Sequence, residues 1–490
     1  MSHVETPASL PIAIRISVSG SPSNERQVNS RNKEKSNEGG AFTIPDCSDR
    51  YETFPASSVM IPYGQSDAWL MVAIPALQNK QNHLNLTSDQ VGWIASTTSI
   101  FIIAGSIVSK YLMDIIGRRN SLILAMFPIT CAYIVMGFNT FEAFVIGRAL
   151  VGLSLGFSPI LSLYFGEIAS DEVRGRVNFV AIIVESVSTL PVLLASPFWN
   201  LHTLNFYLLI PSMIVAFLLW MIPESPYFYL MKGDAVRAER ALECIREARE
   251  VPKDLVSIQN YVNAKMESES SFALLWKNRR SSRAFAIHLW LLMYLHLSGT
   301  SVIKNYAGVL FEKADLPLDA NVEIAITMVI TIIVCCVAAL FVDNLGRRSL
   351  LFLASIPMII GMLIATVFYV FKETNRDVSH FSWIPWTAVL LINVSKSAGL
   401  QPLKHILMSE YYPLNTKATA VSLIHMAEAL VEAIVVKLFQ ESTDLMGFGS
   451  VFFICLLIYV IGTTVMYFIM PETKNLCFAE IERVFERQSK

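Results

Sequence analysis

The chain has 490 residues, 53% hydrophobic and only 16% charged, with a mean hydropathy of +0.49. That composition excludes an ordinary water-soluble domain, and a formal net charge of −2 gives no basis for nucleic acid or another polyanion as a partner. The seven cysteines are odd in number, and Cys131, Cys335, Cys336 and Cys455 lie inside apolar runs rather than at the spacings of a disulfide framework or zinc site, so they read as packing residues.

Residues 1–52 are rich in Ser, Asn, Glu and Lys and lack the charged-then-apolar pattern of a cleaved signal, which predicts a disordered cytosolic arm followed by an uncleaved signal-anchor helix. A spanning helix needs about 20 predominantly apolar residues. Windows of that kind begin near Phe54, Val91, Ser121, Phe144, Val177, Leu204, Ala284, Ile324, Ser349, Trp383, Ala418 and Val451. The expectation is an all-α membrane protein of twelve transmembrane helices in two six-helix halves, residues 53–223 and 284–472, with a cytosolic tail at 473–490. The connecting stretch 224–283 contains MKGDAVRAERALECIREARE, amphipathic in spacing and too charged for a bilayer, which predicts a cytosolic linker of short helices.

Loops on one side hold Arg118, Arg119, Arg174, Arg176, Arg347, Arg348 and Lys417, whereas the opposite loops hold only Lys80, Lys313, Lys372 and Arg376. The positive-inside rule then places both termini in the cytosol, with the plasma membrane as the expected residence. Asn85-Leu86-Thr87 falls in the first outside loop and is the expected glycan acceptor, while the sequon at Asn393 lies within a span and is expected to be silent.

The halves are a duplication. Asp114-Ile-Ile-Gly-Arg-Arg119 returns as Asp343-Asn-Leu-Gly-Arg-Arg348, Glu167 followed by Arg174 returns as Glu410 followed by Lys417, and Pro223-Glu224-Ser225 returns as Pro471-Glu472-Thr473. Three repeats in the same order exclude coincidence.

These motifs, together with GRALVGLSLG at 147–156, GEIASDEVRG at 166–175, PESP at 223–226, LSG at 297–299, FEKA at 311–314, SEYYPLNTKATA at 409–420 and PETKNLCFAEIE at 471–482, resemble the sugar porter family of the major facilitator superfamily. The likeness is greatest to its insect facilitated trehalose transporter-like branch and covers about residues 54–486. It implies the major facilitator fold and a transporter of a small polar solute, a hexose or a trehalose-like disaccharide, working by alternating access without a cofactor. The glycines Gly117 and Gly346 permit tight turns, and the paired arginines can bond carboxylates on neighbouring helix ends and so hold the two halves together on one side. By resemblance, Asp114, Arg118, Arg119, Arg148, Glu167, Arg174, Asp343, Arg347, Arg348, Glu410 and Lys417 form a cytosolic gate.

The family lines its cavity with side-chain amides, which bridge adjacent sugar hydroxyls. This sequence departs there. The family's Gln-Gln position is Leu295-His296, and the Asn after the LSG glycine is Ser301. Ile182 replaces the fifth-span Gln and Thr331 the eighth-span Asn. In the tenth span the sugar-facing Trp is His405, its preceding Pro is Lys404 and an aromatic position is Lys396, while Gly399 and Pro402 survive; Glu428 replaces the eleventh-span Asn.

Charge has taken the amides' place: Asp67, Glu185, Lys304, Lys396, Lys404, Glu428 and Glu432 lie within the spans. At about 3 kcal/mol each at mid-bilayer, their burial unpaired would cost on the order of 20 kcal/mol, more than the ~5–15 that holds a domain together, so they are paired or face a wet cavity. Counting about 1.5 Å per residue from the helix ends, Lys304 and Lys404 reach the surfaces, whereas Asp67, Glu185, Lys396 and Glu428 fall near the midplane. The expected pair is Lys396 with Glu428. His425, Glu428 and Glu432 share one helical face and form a polar stripe; no metal site is expected.

The substrate cavity is therefore assigned to Asp67, Glu185, His296, Ser301, Thr331, Lys396, Gly399, Pro402, His405 and Glu428. Carboxylates in it could take up protons, which leaves uniport and proton symport both open. The expected partners are a small polar solute, a proton and the lipid bilayer. A carrier of a charged organic solute and a solute sensor that does not transport are the other readings of the altered cavity. An enzyme is not, because no nucleophile, base and oxyanion arrangement can be read from the chain.

Overall fold

The computed structural model describes most of residues 55–487, outside 79–85, 170–173, 267–271, 301–302, 304–309, 311–319, 342–344 and a few single positions. All of these belong to one body, Cys47–Lys490. Ser301, Lys304, Asp343, the expected glycan acceptor Asn85, the N-terminal arm and the side chain of Arg174 lie outside the described residues.

The first half contains α1 (Met60–Gln78), α2 (Ser88–Ile115), α3 (Arg118–Met136), α4 (Phe141–Leu155), α5 (Pro159–Ile168), α6 (Arg174–Ala195) and α7 (Leu201–Met221). The linker follows as α8 (Pro226–Met231), α9 (Ala235–Ile245), α10 (Val251–Met266) and α11 (Phe272–Lys277). The second half contains α12 (Arg279–Leu297), α13 (Ala320–Phe341), α14 (Arg347–Glu373), α15 (Ile384–Ser395), a π turn at Lys396–Leu400, α16 (Gln401–Glu410) and α17 (Leu414–Ile469), with α18 (Phe478–Arg487) in the tail. Helix α17 is two spans joined across Gly447, whose φ of 80° is non-helical. Counting α4 with α5, α15 with α16, and α17 as two gives the twelve-helix bundle.

Nine of the spans among the described residues are long and apolar enough by themselves to cross a membrane. The other three carry polar groups or a break: α1 holds Gln65 and Asp67, α12 holds His288 and His296, and the α15–α16 span is interrupted by the π turn that starts at Lys396. Apolar side chains such as Phe127, Phe217 and Phe468 stay exposed on the outer faces, as a lipid-facing surface requires. Inward faces pack tightly. A Cβ on Gly152 would collide with the Thr98 carbonyl of α2, so this motif glycine sets how closely α2 and α4 approach.

Across the two halves, α2 packs on α17, α6 on α13 and α5 on α16.

Candidate functional site

At the end of the bundle that carries the linker, each half builds the same cluster. In the first half the Arg118 guanidinium pairs with Glu167 at 3.0 Å, and the other oxygen-facing donor of that carboxylate is the Ser225 hydroxyl at 2.5 Å. Glu224 accepts the backbone amides of Arg118 at 2.9 Å and Arg119 at 3.1 Å, capping α3 where the helix dipole favours an anion. Arg119 itself donates to the Leu219 carbonyl at 3.3 Å and to that of Trp220. Burial pushes the Glu224 carboxyl above its ordinary range, opposed by the Ser225 and Arg119 amides and the Arg118 charge.

In the second half Arg347 pairs with Glu410 at 2.6 Å, the Thr473 hydroxyl donates to Glu410 at 2.6 Å, and Glu472 accepts the amides of Arg347 at 2.8 Å and Arg348 at 3.1 Å. Arg348 reaches the Met470 carbonyl at 2.6 Å, as Arg119 reaches Leu219. The three repeated sequence motifs are thus one object, a clamp built twice.

Not all of the expected gate residues join the clamps. Among the described residues, Arg118 and Arg347 bind carboxylates of their own half, not of the other. Asp114 is exposed, within electrostatic reach of Arg118 and Glu167. Arg148 does not belong to the clamp: it precedes Glu167 by roughly 25–30 Å of helix, and its guanidinium donates to the Ser66 hydroxyl at 3.1 Å and lies 5.5 Å from the Trp69 ring centre. Its partner in charge is the exposed Asp67. The glycines also differ. Gly117 has a φ of 97°, which only glycine adopts freely, and a Cβ there would strike Glu224. Gly346 has an ordinary φ of −68° and is required only for space, since a Cβ would sit 2.6 Å from Glu472.

What joins the halves at this end is a set of polar contacts placed further into the bundle. The Ser162 hydroxyl of α5 meets His405 Nδ1 of α16 at 2.7 Å, and Ser158 Oγ meets His425 Nε2 of α17 at 3.4 Å. Gln401 donates to Glu185 of α6 at 2.9 Å. The buried Lys417 ammonium lies against Gly166, where a Cβ would be 3.5 Å away, with Ser409 beside it.

Glu428 is the centre of the charged cluster in the second half. Lys404 Nζ contacts its Oε1 at 2.6 Å, His296 Nε2 the same oxygen at 3.3 Å, and His425 Nδ1 its Oε2 at 3.3 Å. The pair expected from the sequence, Lys396 with Glu428, is replaced by Lys404 with Glu428, and Lys404 does not run to the surface. Lys396 instead opens the π turn, which is packed by the buried Gly399 against Ala354 and followed by the buried Pro402. Thr331 is buried but spends its hydroxyl on the Thr327 carbonyl of its own helix at 2.8 Å. His288, which the sequence did not single out, is fully buried and meets the Tyr412 hydroxyl at 3.2 Å. Its signal was present: a histidine one helical face away from His296 inside an apolar run. His296 Nδ1 is buried without a hydrogen-bond partner among the described residues.

The arrangement brings hydroxyls and the Glu185 carboxylate of the first half against imidazole, amide and ionic groups of the second, all able to exchange hydrogen bonds with a polar molecule. Comparison with known proteins fits it. Residues 27–485 match the family model described as "Sugar (and other) transporter". The facilitated trehalose transporters Tret1 of Aedes aegypti and Culex quinquefasciatus are each 27% identical over 428 residues, 86% of this chain, covering 53% and 82% of those proteins. The chain therefore spans about half the length of the Aedes relative. The proton:xylose symporter XylE bound to 6-bromo-6-deoxy-D-glucose superposes with a TM-score of 0.78 at 19% identity, covering 88% of this chain and 98% of that one. FucP in an outward conformation superposes at 0.59, with 12% identity and coverages of 86% and 100%. The fold is that of the major facilitator superfamily, and the chain belongs to the sugar (and other) transporter family, a family of carriers and not of enzymes.

Proposed function

We propose that the chain carries a small sugar, of hexose or disaccharide size, across a membrane by alternating access. The observation that supports this best is the division of labour at the linker end. Each Arg–Glu clamp ties helices of its own half, while the polar contacts between the halves include neutral or singly hydrogen-bonded ones that can break: Ser162 with His405, Ser158 and the Leu155 carbonyl with His425, and Gln401 with Glu185. Rigid halves joined by breakable contacts are what a rocking carrier needs. The relatives named for trehalose and the neighbour named for xylose support a sugar as the solute.

On this reading the linker end is cytosolic, as the arginine-rich loops require, the membrane is the plasma membrane, and Asn85 carries the glycan. The cavity is formed by Asp67, Glu185 and the hydroxyls of Ser158 and Ser162 on the first half and by His296, Lys396, Gln401, Lys404, His405 and Glu428 on the second. The clamp residues, including Arg174 and Asp343, act on the rate of exchange and not on sugar affinity.

Uptake of labelled glucose, xylose and trehalose into proteoliposomes at two pH values tests this. Saturable, mutually competing uptake of at least one sugar is the expected result; folded protein that moves none of them would overturn it. A second reading, a charged organic solute, is favoured by one observation: the Lys404–Glu428–His296 group places ionic side chains together between the helices of the second half. Uptake of a carboxylate in the absence of sugar uptake would select it.

A further inference from the structure

The ring of His425 has its two nitrogens facing acceptors on opposite halves of the protein. Nδ1 is 3.3 Å from Glu428 Oε2, and Nε2 is 3.3 Å from the carbonyl of Leu155. The other oxygen of Glu428 meets the Lys404 ammonium at 2.6 Å, and a carboxylate in such an ion pair accepts hydrogen bonds. A main-chain carbonyl can only accept. A neutral imidazole has one N–H and satisfies one of the two; the imidazolium satisfies both.

The sequence explains why the Leu155 carbonyl is available. Its regular helical donor would be the amide four residues on, but that residue is Pro159, which has no N–H. The helix breaks there, between α4 and α5, and the carbonyl takes only the offset Ser158 amide at 3.0 Å. One lone pair is left facing the other half.

We propose that His425 is the proton-binding latch between the halves: protonated, it ties the Leu155 carbonyl to Glu428 and holds the linker end shut; deprotonated, it releases that end. This deepens the carrier reading and rests on it, assigning the proton as a coupled ligand and His425 as its site. In the neutral ring Nε2 becomes an acceptor. It then faces the Leu155 oxygen lone pair to lone pair and keeps only the weaker contact with the Ser158 hydroxyl at 3.4 Å.

The ionisable groups facing this ring are Glu428 on its own helix, Lys404 and His405 on α16, and His296 on α12. On α2, which also packs on α17, Lys110 and Asp114 belong electrostatically to the Arg118–Glu167 clamp. From the first half His425 meets only neutral groups, Leu155 and Ser158, among its recorded contacts.

The test reads the linker-end separation directly in the full chain without solute, by energy transfer between labels at Asn120→Cys and Ser349→Cys, the equivalent exposed positions of the two halves, with native cysteines replaced. Raising the pH from about 5.5 to about 8.5 is expected to lower the closed-to-open ratio at least several-fold, up to the tenfold per pH unit that one linked proton allows. His425→Gln, which keeps a donor and an acceptor but does not titrate, is expected to abolish the response. Ser158→Ala, which removes the neutral ring's remaining contact, is expected to enlarge it. A full response retained in His425→Gln, or no response in the wild type, overturns the proposal. Because this readout needs no solute, absent sugar uptake with an intact pH response would sink the sugar reading alone.

Discussion

Two regions of the molecule follow different rules. At the linker end, Arg118, Glu167, Glu224 and Ser225 are matched group for group by Arg347, Glu410, Glu472 and Thr473, down to the backbone amides that each capping carboxylate accepts. In the middle of the bundle the symmetry is gone: the first half presents Ser158, Ser162 and Glu185, whereas the second presents His296, Gln401, Lys404, His405, His425 and Glu428. Symmetry is kept where each half ties its own helices and is lost where the two halves face each other.

The largest effect expected on the asymmetric side comes from splitting its ion pair. Lys404→Met or Glu428→Gln leaves the other member buried without its partner, which costs about 3–5 kcal/mol, while removing both is nearly neutral for folding. Thermal unfolding of the purified single and double variants measures this. Strictly additive losses would show that the two do not interact.

On the symmetric side, Arg118→Ala and Arg347→Ala each remove charge-assisted hydrogen bonds to a buried glutamate that keeps its hydroxyl donor, an expected loss of about 1.5–3 kcal/mol each. The two losses should be equal within error. A loss confined to one half would break the equivalence of the clamps. Transport by these variants is expected to fall in maximal rate more than in apparent affinity, which kinetics at matched incorporation would check.

The smallest expected effect sharpens the one difference between the clamps. Both Gly117→Ala and Gly346→Ala crowd a glutamate, but only Gly117 also needs a left-handed backbone, worth roughly 1–2 kcal/mol. Gly117→Ala should therefore be the more destabilising by about that amount, measured on the same unfolding transition.

Much of this was legible in the sequence, because twenty-residue apolar windows and ordered repeats are one-dimensional signals. The duplicated motifs picked out Arg118 with Glu167 and Arg347 with Glu410, which the structure pairs, and the replaced amides pointed to the charged cluster around Glu428. Pairing was harder. Lys396 looked like the partner of Glu428 because depth was counted along an unbroken helix, but the π turn at Lys396–Leu400 inserts a residue and rotates everything after it by about 100°. Helical side chains also lean toward the N-terminus, so Lys404 points back into the bundle and not out to the surface. Arg148 was grouped with the gate by motif membership alone, although its distance along the helix from Glu167 already set it apart. The latch at His425 needs two facts from different halves, a histidine on α17 and a proline-freed carbonyl at Leu155, which no single stretch of sequence brings together.

The central claim is that solute passes through the cavity organised by Lys404 and Glu428 and not elsewhere on the scaffold. Its most direct test is sugar counterflow in proteoliposomes loaded with equal amounts of the wild type and the Lys404→Met/Glu428→Gln double variant. The account expects saturable counterflow by the wild type and none by the double variant, with both equally folded by their unfolding transitions. Counterflow at the wild-type rate by the double variant would contradict it.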